Sequence, residues 1–81
     1  MYKPTKYIVF DDPLNVVVVI FPNFINHSDI SSDLCYTIGP PISAGFVRWE
    51  DGKPVAYGRS ESLNLDCASI DTNLIRKQIH Q

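Results

Sequence analysis

The sequence is poor in the residues that anchor chemistry. Its 81 residues include two cysteines, Cys35 and Cys67, and two histidines, His27 and His80. The cysteines stand in no paired spacing, and neither histidine lies at zinc-ligand spacing from a cysteine. Neither disulfide staples nor a metal site is expected, no cofactor is implied, and both thiols read as reduced in a cytoplasmic protein. No apolar run approaches the roughly 20 residues that a membrane span needs. Met1-Tyr2-Lys3-Pro4 opens a charged and aromatic stretch, not the apolar core of a secretion signal. A basic stripe is also missing. Seven Lys and Arg residues face nine Asp and Glu residues, for a net charge of −2. The cations are scattered along the chain, a poor footprint for general nucleic-acid binding.

What is present is a hydrophobic content of 44%, with aromatic residues making up 11% of the chain, which is too apolar for a disordered chain. No repeat, linker or low-complexity segment divides it, so residues 1–81 read as one domain. A domain this short buries only about 60% of the surface its unfolded chain exposes. With disulfides and metal set aside, assembly into a homodimer or larger oligomer is the expected source of extra stability.

Tyr7-Ile8-Val9-Phe10 reads as a strand, being β-branched and aromatic. Asp11-Asp12-Pro13-Leu14-Asn15 reads as a turn with Pro13 at its second position. Val16 to Phe21 shows no alternation, so both its faces should be covered, and it is placed centrally in a sheet. Asn26 suits a helix N-cap, with Asp29 three residues on as an approximate capping box and Ile25 and Ile30 as the hydrophobic staple. That helix must end before Gly39-Pro40-Pro41. Asp51-Gly52 is the two-residue loop of a type I′ hairpin. It pairs Trp49 with Pro54, Arg48 with Val55, Val47 with Ala56 and Phe46 with Tyr57, and Pro54 assigns its strand to an edge. Residues 60–65 read as a short strand or an extended loop. Asp71 caps a last helix, with Ile70 and Ile75 as its staple. The expected fold is α+β: a small antiparallel sheet with both helices on one side, in the order ββαββα.

The pleat divides the hairpin into two faces. Val47, Trp49 and Pro54 lie on a small apolar face that fits a helix or a second subunit, and they are the expected interface. Phe46, Arg48, Tyr57 and Arg59 lie on the other, with Ser60 and Ser62 extending the strand. Arginine forks suit phosphate or carboxylate, and aromatic rings stack on bases or guanidinium groups. This face is the candidate ligand site, unless Phe46 and Tyr57 are a core pair whose arginines reach into water. His27, in the first turn of its helix, either covers the helix start or helps hold an anion there. Gly58-Arg59-Ser60-Glu61-Ser62 is a near miss to a nucleophile elbow. It ends in Ser where the motif needs Gly, and no base is placed beside it. No catalytic residue is assigned, and the chain is not expected to be an enzyme. Asp11 and Asp12 read as turn formers.

Four patches resemble a family of small uncharacterised proteins encoded by tailed phages and prophages. They are Tyr7-Ile8-Val9-Phe10-Asp11-Asp12, Phe21-Pro22-Asn23-Phe24 with His27, Ser43-Ala44-Gly45-Phe46-Val47, and Tyr57-Gly58-Arg59-Ser60-Glu61-Ser62-Leu63. The Val16 to Ile20 run is longer than the family pattern. The resemblance transfers no catalytic residues. It implies an accessory protein that acts on the host, including as an inhibitor of antiviral defence. Two mechanisms follow: sequestering a nucleotide signal in an Arg/aromatic pocket, or docking on a defence protein. A phage-particle structural or assembly component with no small-molecule ligand is the alternative.

Overall fold

The computed structural model describes residues 5–79, so the readings of Met1 to Pro4 and of His80 lie outside the described residues. Two strands, β1 (Lys6–Asp11) and β2 (Val16–Phe21), are followed by helix α1 (His27–Leu34). A long hairpin, β3 (Pro41–Glu50) and β4 (Lys53–Tyr57), comes next. Two short strands, β5 (Arg59–Ser60) and β6 (Leu65–Asp66), then precede helix α2 (Asp71–Ile79). The architecture is α+β with antiparallel pairing throughout, but the order is ββαββββα and not ββαββα. The added pair comes from residues 59–66, which fold back on themselves as a separate two-stranded sheet.

The turns form as their residues dictate. Asp12 accepts at its carbonyl from Asn15 N–H at 3.1 Å, and at Oδ1 from Leu14 N–H at 2.9 Å. Those bonds close the turn around Pro13. Asp51 and Gly52 hold φ of 52° and 78°, the two positive values a type I′ turn requires. The hairpin register matches the expectation residue for residue, from Glu50↔Lys53 to Phe46↔Tyr57.

Strand placement does not match. The main sheet runs β2-β1-β3-β4, so the Val16 to Phe21 strand is an edge and β1 is central. Both strands are apolar without alternation, and position is set by which has two partners. Tyr7 to Phe10 are essentially inaccessible, whereas Val16 is exposed and Val17, Val19 and Ile20 are half-buried. Burying each large β1 side chain contributes about 1.5–3 kcal/mol, which makes this strand the spine of the core.

The helices lie on opposite faces of the sheet, not on one. Ile30 and Leu34 of α1 pack with Ile25 on the side of Ile8, Phe10, Phe21 and Ala44. Leu74 and Ile75 of α2 pack on the side of Tyr7, Val9, Val18 and Val47. Strict alternation along β1 supplies both cores, and each needs its own cover. Asn26 is the extended N-cap of α1, but its side chain makes no capping bond, so the capping box does not form. Ile70 is 58% exposed, so there is no staple at α2. Asp71 turns inward instead: its Oδ2 accepts from Tyr7 Oη at 2.6 Å and from Ala68 N–H at 2.9 Å.

Helix α2 also reaches both edges of the sheet. At β4, Thr72 Oγ1 accepts from Ala56 N–H at 2.9 Å, and Arg76 Nε donates to the Pro54 carbonyl at 3.0 Å. At β2, Gln78 Nε2 donates to the Val18 carbonyl at 2.8 Å. Asn15 Oδ1 takes the Val16 N–H of the same edge. Side chains thus occupy backbone groups that an edge strand would otherwise present for pairing. Among the described residues no helix is long and apolar enough to cross a membrane.

Candidate functional site

Helix α1 covers only part of its face of the sheet. It lies over β1 and β2, the β5–β6 segment packs Leu63 and Leu65 on the same side against β3, and a concavity over Phe46 and Tyr57 is left between these two covers. There Phe46 and Tyr57 pair across the strands, with ring centroids 5.9 Å apart and planes tilted by 37°. At Gly58 the chain adopts φ of 77°, a conformation that favours glycine, and leaves the hairpin for β5. The turn carries Arg59, Glu61 and Ser62 to the rim of that concavity. The result is a cleft of about 660 Å³, walled by Phe46, Tyr57, Arg59, Ser62 and the first turn of α1.

Of the seven expected ligand residues, five line this cleft: His27, Phe46, Tyr57, Arg59 and Ser62. Arg48 stands outside it, with its guanidinium carbon 5.5 Å from the centroid of the Tyr57 ring and its Nε paired with Glu50. It braces the aromatic wall from the far side. Ser60 does not reach the cleft. It is fully buried, and its Oγ accepts from Leu63 N–H at 3.3 Å, which shapes the turn after β5.

His27 is a fastener first. It is buried, and its Nε2 donates to the Gly45 carbonyl at 2.8 Å, tying the start of α1 to β3. Phe21 and Phe46 meet its ring edge-on, at 5.4 and 5.5 Å. Burial pushes its pKa down, the Gly45 carbonyl pushes it back up, and the Lys6 ammonium adds a smaller push down. The imidazole is therefore held neutral below its ordinary range.

Four contributors were not legible from local sequence. Lys6 enters because β1 lies beside β3, where it pairs with Phe46. Its Nζ donates to the Ile25 carbonyl at 2.8 Å and lines the cleft. Asn26, Ser28 and Glu61 line it as well, with Gly58 at the turn. Proximity to His27 was the only available signal for Asn26 and Ser28. The charges are partly spoken for: Arg59 Nη2 bonds Asn64 Oδ1, and Nε lies 3.5 Å from Asp66. Exposed pairs of this kind contribute at most about 1 kcal/mol, so a denser anion competes for the same guanidinium.

The expected interface residues have a different place. Val47 and Pro54 are buried, and Trp49 is half-buried, on the face that α2 covers. The apolar hairpin face finds its partner within the chain, and Val47 and Pro54 offer no surface to a second copy. Among the described residues, no group of three or more His, Cys, Asp and Glu side chains is arranged to hold a metal ion. Comparison with known proteins returns no match to a family model, to a curated protein or to a solved structure.

Proposed function

We propose that the chain is a binding protein, not an enzyme, and that the cleft takes a nucleotide. The observation that carries this reading is the convergence of Tyr57, Phe46, Arg59 and Lys6 on one concavity of about 660 Å³, a volume common for small-ligand sites. Tyr57 offers a ring face for a base. Arg59 and Lys6 offer charge for phosphate. Glu61 repels a bare phosphate but accepts hydrogen bonds from sugar hydroxyls, which favours a nucleoside-bearing ligand over a simple anion. In the biological setting, this is a phage-type accessory protein in the host cytoplasm that antagonises antiviral defence by sequestering a nucleotide signal. Docking on a defence protein is the second route to the same end, favoured by the acidic balance of the chain. A homo-oligomer remains part of the proposal, on a surface other than the covered hairpin face.

A thermal-shift series with cyclic oligonucleotides and cyclic ADP-ribose isomers tests it. A sequestered ligand at 100 times its Kd adds about 2.7 kcal/mol of stability, so the midpoint rises with ligand concentration. Arg59→Ala and Tyr57→Ala should each remove most of that rise. If no nucleotide stabilises the protein, sequestration fails. Capture of one host protein would then favour docking. A fixed oligomer with neither ligand nor partner would favour a structural or assembly component.

A further inference from the structure

A second concavity lies on the opposite face, at the other end of the sheet, and shares no lining residue with the cleft. It is a hollow of about 150 Å³ between β1, β2, β3 and the start of α2. Its lining is mostly aliphatic: Val9, Val16, Ile42, Ile70 and Leu74, with the small residues Ser43 and Ala68. Ile42 reaches it through a break in register. Val9 pairs with Ser43 and Phe10 with Pro41, so Ile42 is the extra residue of a bulge. Bulges of this kind re-aim a side chain. Ile42 and Ile70 remain 48% and 58% exposed at the rim, a concentration of bare aliphatic surface with no structural duty.

The wall of this hollow contains one charged group, Asp71. It is 1% exposed. Its Oδ2 is saturated by Tyr7 Oη and Ala68 N–H, while Oδ1 is buried and has no hydrogen-bond partner. The 2.6 Å distance to Tyr7 Oη falls in the range of a charge-assisted O–H···O⁻ bond, with the proton on the tyrosine. Burial, then the bond to Asp71, pushes the Tyr7 hydroxyl far above its ordinary pKa and keeps the proton there. A buried carboxylate oxygen without a donor is costly, and native structures supply such groups with partners.

We infer that this hollow is a second ligand site, for a small aliphatic amine. The ammonium meets Asp71 Oδ1, and the hydrocarbon lies against Val9, Val16, Ile42, Ile70 and Leu74. The volume holds a body of about four or five carbons and little more. Contact with Oδ1 needs the lining side chains to part by a rotamer change. Val16, Ile42 and Ile70 face solvent and have room to make it. The inference does not depend on the nucleotide cleft.

The test is a two-dimensional amide NMR titration of the whole protein with n-butylammonium, n-butanol and n-butyrate. Butylammonium should shift the amides of Ser43, Ala68, Ile70 and Leu74 and saturate in the millimolar range. Butanol, which keeps a donor but loses the charge, should bind about tenfold more weakly. Butyrate should not bind beside a like charge. Asp71→Asn should reduce the butylammonium affinity about tenfold. Ile70→Lys, a change at an exposed rim position that leaves the fold intact, should abolish it by hanging an ammonium over the mouth. The site is refuted by no saturable response, by equal responses to the three probes, or by wild-type affinity in Ile70→Lys.

Discussion

The two faces of one sheet have been finished in different ways. On the α2 face the helix lies across the whole sheet and is bonded to both edges, through Thr72 and Arg76 on β4 and Gln78 on β2. On the α1 face the helix covers β1 and β2, and one imidazole ties its start to β3. The β5–β6 segment covers part of β3, and the gap between the two covers is the cleft. The contrast shows that a concavity in so small a domain needs no dedicated element. It follows from a cover made of two short pieces, a helix of eight residues and the β5–β6 segment, with a gap left between them.

The largest expected effect lies on the closed face. Asp71→Ala leaves Tyr7 Oη and Ala68 N–H without an acceptor, and should cost about 3 kcal/mol in denaturant unfolding. His27→Leu on the open face removes one donor from one carbonyl and should cost about 1–2 kcal/mol. If the histidine change proves the more damaging, α1 is the better-anchored helix and the contrast reverses.

The two faces should also fail at opposite ends of the pH scale. His27 has a lowered pKa in the fold, so between that value and the ordinary value near 6.5 the unfolded chain binds more protons. Its contribution is present above about pH 6.5 and is lost as the pH falls through the folded value. Tyr7 has a raised pKa, so the unfolded chain releases its proton near pH 10 while the fold retains it. Its contribution is present below about pH 10 and is lost as the pH rises further. Urea midpoints across pH 5–11 check both limbs. Flat acid behaviour restored by His27→Leu, and flat alkaline behaviour restored by Tyr7→Phe, would assign each limb to its face.

The smallest effect on stability should accompany the largest effect on binding. Tyr57 is 42% exposed, so Tyr57→Ala should move stability by no more than about 0.5 kcal/mol. It should still remove the nucleotide response. A loss of stability above about 2 kcal/mol would make Tyr57 a core residue and the cleft wall a by-product of packing.

Local chemistry made some of this legible in the sequence. Asp51-Gly52 fixed the hairpin register, and the register alone put Phe46 and Tyr57 opposite each other with Arg48 beside them, whereas Arg59 lies past Gly58 and reaches the cleft from β5. The turn at Pro13 was equally plain. Long-range relations were not legible. Tyr7 and Asp71 are 64 residues apart, and each had a sufficient local explanation as a strand aromatic and a helix cap. Lys6 joins the cleft only because β1 neighbours β3, and no periodicity in the sequence distinguishes β1 from β2 as the central strand. The apolar side of the hairpin reads as needing cover, and in the fold it is covered. That α2 supplies the cover, and not a second subunit, depends on where a helix encoded some 20 residues later comes to rest.

The double attachment of α2 has a consequence for synthesis. Among the described elements it follows the six strands, and so emerges from the ribosome after them. Chains lengthen by roughly 5–20 residues per second, so there is an interval in which β2 and β4 exist with their outer backbone groups bare. Throughout that interval the nascent chain offers two sticky edges where the finished protein offers few. Neighbouring nascent chains on one message would be the first to find them, and the speed with which Thr72, Arg76 and Gln78 arrive sets how many chains escape that fate.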